Sequence, residues 1–124
     1  MRSIREEIAD CISDLKMTED EILSARFKFP ESFIGFQGHF PEKKILPGVC
    51  EIQCVLIMLE QWTKRSIVLK EIVLAKFLSA VFLSEELTCL CKYAGETDQD
   101  FILKASLSKG GQKIAELKLK ICFN

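Results

Sequence analysis

The 124-residue chain has one histidine and three prolines, and nowhere does it gather a block of like charge. Each scarcity excludes something. Lysine plus arginine number 17 against 18 acidic residues, a formal net charge of −1, so a nucleic-acid binder driven by phosphate neutralisation is not expected. No apolar run approaches the roughly 20 residues that span a bilayer, and the opening Met1-Arg2-Ser3-Ile4-Arg5-Glu6-Glu7 lacks the apolar centre of a secretory leader. A cytoplasmic protein is the expectation. There the six cysteines, Cys11, Cys50, Cys54, Cys89, Cys91 and Cys122, are expected as free thiols. Neither Cys50/Cys54 nor Cys89/Cys91 is followed by a second pair of ligands at zinc spacing, and one histidine leaves little to complete a metal site, so none is expected. The length suits a single domain, residues 1–124, able to bury a core and more so when paired with a copy of itself.

What is present has a clear order. Ser3 and Glu6 have capping-box spacing, and Ile4, Ile8, Cys11 or Ile12, and Leu15 recur at helical intervals, predicting an amphipathic helix over 4–16. Leu23, Ala25, Phe27 and Phe29 then alternate with Ser24, Arg26 and Lys28, the period of a half-buried strand that Pro30 stops. Residues 31–46 form a connection. From Val49 to Leu59 only Glu51 and Gln53 are polar, which predicts a helix over 48–63 buried on nearly all sides.

Strands are expected from there to the end. Ile67–Phe77 and Ala80–Leu83 are apolar, Leu87 to Tyr93 alternates, and Gly95 to Asp100 looks like a turn. Phe101, Leu103, Ala105 and Leu107 face one way; Gly110-Gly111 signals a hairpin; and Ala115, Leu117, Leu119, Ile121 and Phe123 oppose Glu116, Lys118 and Lys120. An all-round apolar helix followed by hairpin-linked strands with one wet face predicts an α+β fold in which a curved antiparallel sheet wraps the helix.

The candidate site falls at 35–54, which holds the lone His39 and two of the prolines. Gly38 and Pro41 place His39 on a stiff, non-helical approach. Pro47-Gly48 opens the buried helix, whose first backbone N–H groups suit an oxygen that is gaining negative charge. A histidine brought to such a terminus is a base beside an electrophile.

Gly38-His39-Phe40-Pro41 followed by Ile45-Leu46-Pro47-Gly48-Val49 resembles the signature of the hot-dog-fold 3-hydroxyacyl-[acyl-carrier-protein] dehydratases of fatty-acid synthesis. The resemblance implies a hydro-lyase without cofactor or metal, acting as a homodimer or higher oligomer with the acyl chain in a tunnel between subunits. It makes His39 the base at the carbon alpha to the thioester and the Gly48 N–H the donor to the thioester carbonyl. Phe36, Phe40, Pro47, Val49 and Phe77 become candidate tunnel wall, although as residues alone Phe33, Phe36, Phe40 and Phe77 fit core equally well. Lys76-Phe77 matches a basic-Phe pair of that family.

Three departures accompany it. The carboxylate expected fourteen residues after the histidine is Gln53, and an amide cannot protonate a departing hydroxyl, though it can hydrogen-bond it or hold a water. Glu51 lies about 200° away around the helix and is expected to meet a surface or interface cation. Lys44 replaces a proline, and Leu78-Ser79-Ala80 replace a basic stretch, which leaves Lys43, Lys44, Lys76 and Arg26 to attract an acidic carrier protein. Three functions stand: dehydration to a trans-2-enoyl thioester, favoured by His39; thioester hydrolysis; and acyl binding or service as a partner subunit. Gln53 favours the last two.

Overall fold

A computed structural model describes residues 2–33, 45–82 and 84–124. Helix α1 covers Ile4–Ala9, and its capping box is closed in both directions: Glu6 N–H donates to Ser3 Oγ at 3.1 Å and Ser3 N–H to Glu6 Oε1 at 3.2 Å. The helix expected over 4–16 ends there. Residues Ile12–Met17 form strand β1 instead. Its pairing with β2 (Leu23–Lys28) is interrupted between Ser13 and Lys16, where Asp14 has φ 55°. That bulge gives Ile12 and Leu15 a spacing of three, so the pattern imitates a helix.

Helix α2 spans Gly48–Thr63, as the apolar run predicts. It closes on Lys64 in the left-handed region at φ 60°, whose N–H donates to Glu60 O at 2.8 Å. Strand β3 is Ile67–Phe77, β4 Glu86–Thr97, β5 Asp100–Lys109 and β6 Gln112–Phe123. All pairings are antiparallel, and the sheet order is β1-β2-β4-β5-β6-β3. The Gly110-Gly111 turn has positive φ at both residues, 53° and 80°, which fits a two-residue hairpin of the primed type.

Two strand expectations need correction. Between β3 and β4, Phe82 makes one isolated bridge to Ile45 rather than a strand over 80–83, and Leu83 lies outside the described residues. β4 runs through Gly95 to Thr97, because a register shift between Tyr93 and Gly95 absorbs the glycine; the turn is confined to Asp98 and Gln99.

The sheet's inner face and α2 share one core. Cys54, Val55 and Met58 are fully buried on the helix, opposite Leu23, Ala25, Phe27, Leu87, Cys89, Leu103 and Leu119. Each buried aliphatic or aromatic side chain there contributes about 1.5–3 kcal/mol. The central helix enclosed by a curved antiparallel sheet is the hot-dog architecture.

Candidate active site

The start of α2 is set by Pro47, which has an extended conformation (φ −64°, ψ 147°) and offers no side-chain cap. Pro47 O accepts from Cys50 N–H at 2.9 Å and from Glu51 N–H at 3.4 Å. The amides of Gly48 and Val49 have no acceptor among the described residues. Amides at the positive end of a helix suit the holding of a carbonyl oxygen as it becomes an oxyanion.

Phe77, the last residue of β3, covers this end. A Cβ on Gly48 would stand 2.7 Å from Phe77 Cζ and 2.9 and 3.0 Å from its Cε atoms. Glycine is needed here because an aromatic ring occupies the space. Phe77 is itself 46% exposed, beside the more exposed Val49 and Leu78. Of the residues expected as tunnel wall, Phe77 lies against Gly48, between Pro47 and Val49 in the chain.

The far end of β3 is tied to the same helix. Glu60 Oε2 accepts from Ile67 N–H at 2.8 Å, and its other oxygen pairs with Arg5 of α1. β3 is therefore held to α2 at its first residue by a carboxylate and at its last by the Phe77–Gly48 contact.

Two polar groups on α2 stand out. Glu51 is only 3% exposed, its Oε1 has no hydrogen-bond partner among the described residues, and burial pushes its carboxyl up to about 7. It is therefore no surface residue, and no cation among the described residues pairs with it. Gln53, on the opposite side of the helix, is half-buried, and its Oε1 is also buried without a partner among the described residues. Glu51 as a buried acid was the element that sequence reasoning missed. The available signal was a single carboxylate inside an otherwise apolar run.

The buried thiols of the core are poorly disposed to ionise. Burial pushes Cys50 up to about 11 and Cys91 to about 12, and raises Cys54, which lies against Cys89 in the core. Among the described residues no group of His, Cys, Asp and Glu is arranged to hold a metal. No helix among them is long and apolar enough to cross a membrane. His39, Phe36, Phe40, Lys43 and Lys44 lie outside the described residues. Lys76 is exposed on β3 with Glu116 opposite it on β6, and Arg26 sits within 3.7–3.9 Å of Asp14 and Glu86.

Comparison with known proteins places this geometry. The family model for ApeI-like proteins, described as ApeI dehydratase, matches residues 15–118. No curated protein matches the chain in sequence. Among solved structures, the dehydratase heterocomplex ApeI:P from Xenorhabdus doucetiae superposes with a TM-score of 0.72 at 19% identity, over 90% of this chain and 93% of that one. A hypothetical thioesterase from Streptococcus pneumoniae, crystallised with coenzyme A, gives 0.69 at 8% identity over 98% and 94%. The PaaI protein of E. coli gives 0.68 at 14% over 91% and 79%. At such identities these structures share the fold.

Proposed function

Because the chain belongs to the ApeI-like dehydratase family, we propose that it removes water from 3-hydroxyacyl thioesters to give trans-2-enoyl thioesters. The observation that carries this is the pair of amides at Gly48 and Val49, unclaimed among the described residues, beside the exposed Phe77 ring. Dehydration begins with loss of the proton alpha to the thioester, which moves charge onto the carbonyl oxygen. A fixed N–H donor at that oxygen is the main aid a protein can give. In this reading His39 takes the proton and returns it to the 3-hydroxyl as water leaves, while Gln53 orients that hydroxyl.

The substrate is a fatty 3-hydroxyacyl chain on a thiol carrier. An acidic acyl carrier protein would meet Lys43, Lys44 and Lys76. The working form is a homodimer or higher homo-oligomer built on β3, with residues 1–124 acting as one cytoplasmic domain. β3 supports this because Val68, Ile72, Val73 and Leu74 are each 40–48% exposed along a sheet edge.

A second reading, thioester hydrolysis, is favoured by one feature: the buried, unpartnered Gln53 Oε1 can accept from a water aimed at the carbonyl. One experiment separates the readings. Incubation with 3-hydroxyacyl and enoyl thioesters, read by mass spectrometry, is expected to show interconversion by one water, lost in His39→Ala and increased in Gln53→Glu. Release of a free acid establishes hydrolysis instead. No turnover leaves an acyl binder or partner subunit. A His39→Ala variant with undiminished turnover removes the proposed base.

A further inference from the structure

On the sheet face turned away from α2, three lysines stand in one row across adjacent strands. Lys92 of β4 is opposite Lys104 of β5, and Lys104 is opposite Lys118 of β6. Lys92 and Lys104 are exposed and Lys118 half-buried. Like charges directly opposite one another work against strand pairing, and among the described residues no carboxylate pairs with any of the three. Glu116, in the next row, is engaged by Lys113 at 2.6 Å. The lysines border a groove of about 440 Å³ whose lining also holds Leu74 and Leu90.

We propose that this row is a docking surface for an acidic helix of a partner protein. Neighbouring strands lie roughly 4.8 Å apart, so the three lysine positions span roughly 10 Å. Carboxylates one turn apart on a helix are separated by about 5–6 Å, so successive turns supply acids at nearly the lysine spacing. A single phosphate reaches one neighbouring pair and leaves the third lysine unneutralised. A membrane surface fits less well, because acidic side chains interrupt the lysines on both sides: Glu116, beside Lys76 and Lys113, on one, and Glu71, 3.8 Å from Lys120, on the other. Leu90 offers apolar contact to the residues between the partner's acids. The surface is separate from the α2 terminus and does not depend on the thioester reading.

The test uses the full chain and a fluorescein-labelled helical peptide with glutamates on one face, measured by anisotropy against ionic strength. The peptide is expected to bind, to weaken steeply with salt, and to lose at least about tenfold in affinity to Lys104→Glu. Thermal melting of the unliganded variant is expected above wild type, because a Lys-Glu-Lys row replaces three like charges; this also shows that the variant folds. Equal peptide affinity in wild type and Lys104→Glu overturns the proposal, as does binding of tripolyphosphate or phosphatidylserine vesicles without binding of the peptide.

Discussion

The two edges of the sheet are built on opposite plans. β1 is six residues long, bulged between Ser13 and Lys16, and carries Asp14 flanked by Lys16 at 3.6 Å and Arg26 at 3.7 Å. A short, kinked, charged edge resists addition of another strand. β3 is eleven residues long and presents Val68, Ile72, Val73, Leu74 and Phe77 to solvent. Its register shifts fall on the side paired with β6, and its outer side has no strand beside it among the described residues. The difference leaves one edge closed by its own sequence and the other long, apolar and exposed, the edge on which the proposed second chain would pair. Pairing there would bring the second chain to the candidate site, because the last ring of β3 covers Gly48.

The largest effect expected from breaking this asymmetry is on assembly. Val73→Lys, at a 42% exposed position in mid-strand, should raise the dissociation constant of the homo-oligomer at least about a hundredfold, roughly 3 kcal/mol. Met17→Lys, at the comparably exposed end of β1, should leave it unchanged. Sedimentation velocity distinguishes the two. A wild-type chain that sediments as a monomer, or equal loss in both variants, would remove the contrast between the edges.

The next effect is on stability and concerns the helix that β3 is pinned to. Glu51 keeps its proton in the folded chain up to about pH 7, whereas its ordinary value is 4.5. Below about 4.5 both folded and unfolded chains hold that proton and there is no penalty. Between 4.5 and 7 the unfolded chain releases it first, so folding stability falls as pH rises; above 7 the full penalty persists. At 1.36 kcal/mol per unit the loss is on the order of 3 kcal/mol. Glu51→Gln should therefore match wild type near pH 4 and exceed it increasingly up to pH 8, as read from urea midpoints. A constant difference across that range would mean that burial does not hold the proton.

Where sequence patterns were sufficient, the pattern was local and regular. The α2 boundaries, the alternation of β5 and β6 and the Gly110-Gly111 turn follow from periods of two and 3.6 residues and from one conformational requirement. Where they failed, one or two extra residues had altered the period. The bulge at Asp14 made a strand resemble a helix, and the shift at Gly95 let β4 run through a residue that usually stops strands. The motif located the helix start at Pro47-Gly48 but not the reason that residue 48 lacks a side chain. That reason is a ring 29 positions later, which no local pattern connects to it. Likewise the helical angle separates Glu51 from Gln53, but it does not tell that both carry a buried oxygen without a partner among the described residues.

The smallest effect tests the contact that makes the β3 edge part of the site. Replacing Gly48 with alanine favours the helix by up to about 1 kcal/mol, but it places a methyl group where Phe77 Cζ lies 2.7 Å away. Overpacking of that kind costs roughly 1–3 kcal/mol. Phe77 is half-exposed and its ring tip can yield, so the lower part of that range applies, and Gly48→Ala should destabilise by about 1 kcal/mol net. In a Phe77→Ala background the clash is gone and only the helix preference remains, so the same substitution should change sign and stabilise. A double-mutant cycle in urea measures the coupling directly, and its expected size is about 1–2 kcal/mol. Additivity within about 0.3 kcal/mol would mean that the ring does not rest on the helix start. The strand edge and the two free amides would then be independent features, and a chain docking on β3 would have no route through Phe77 to the site.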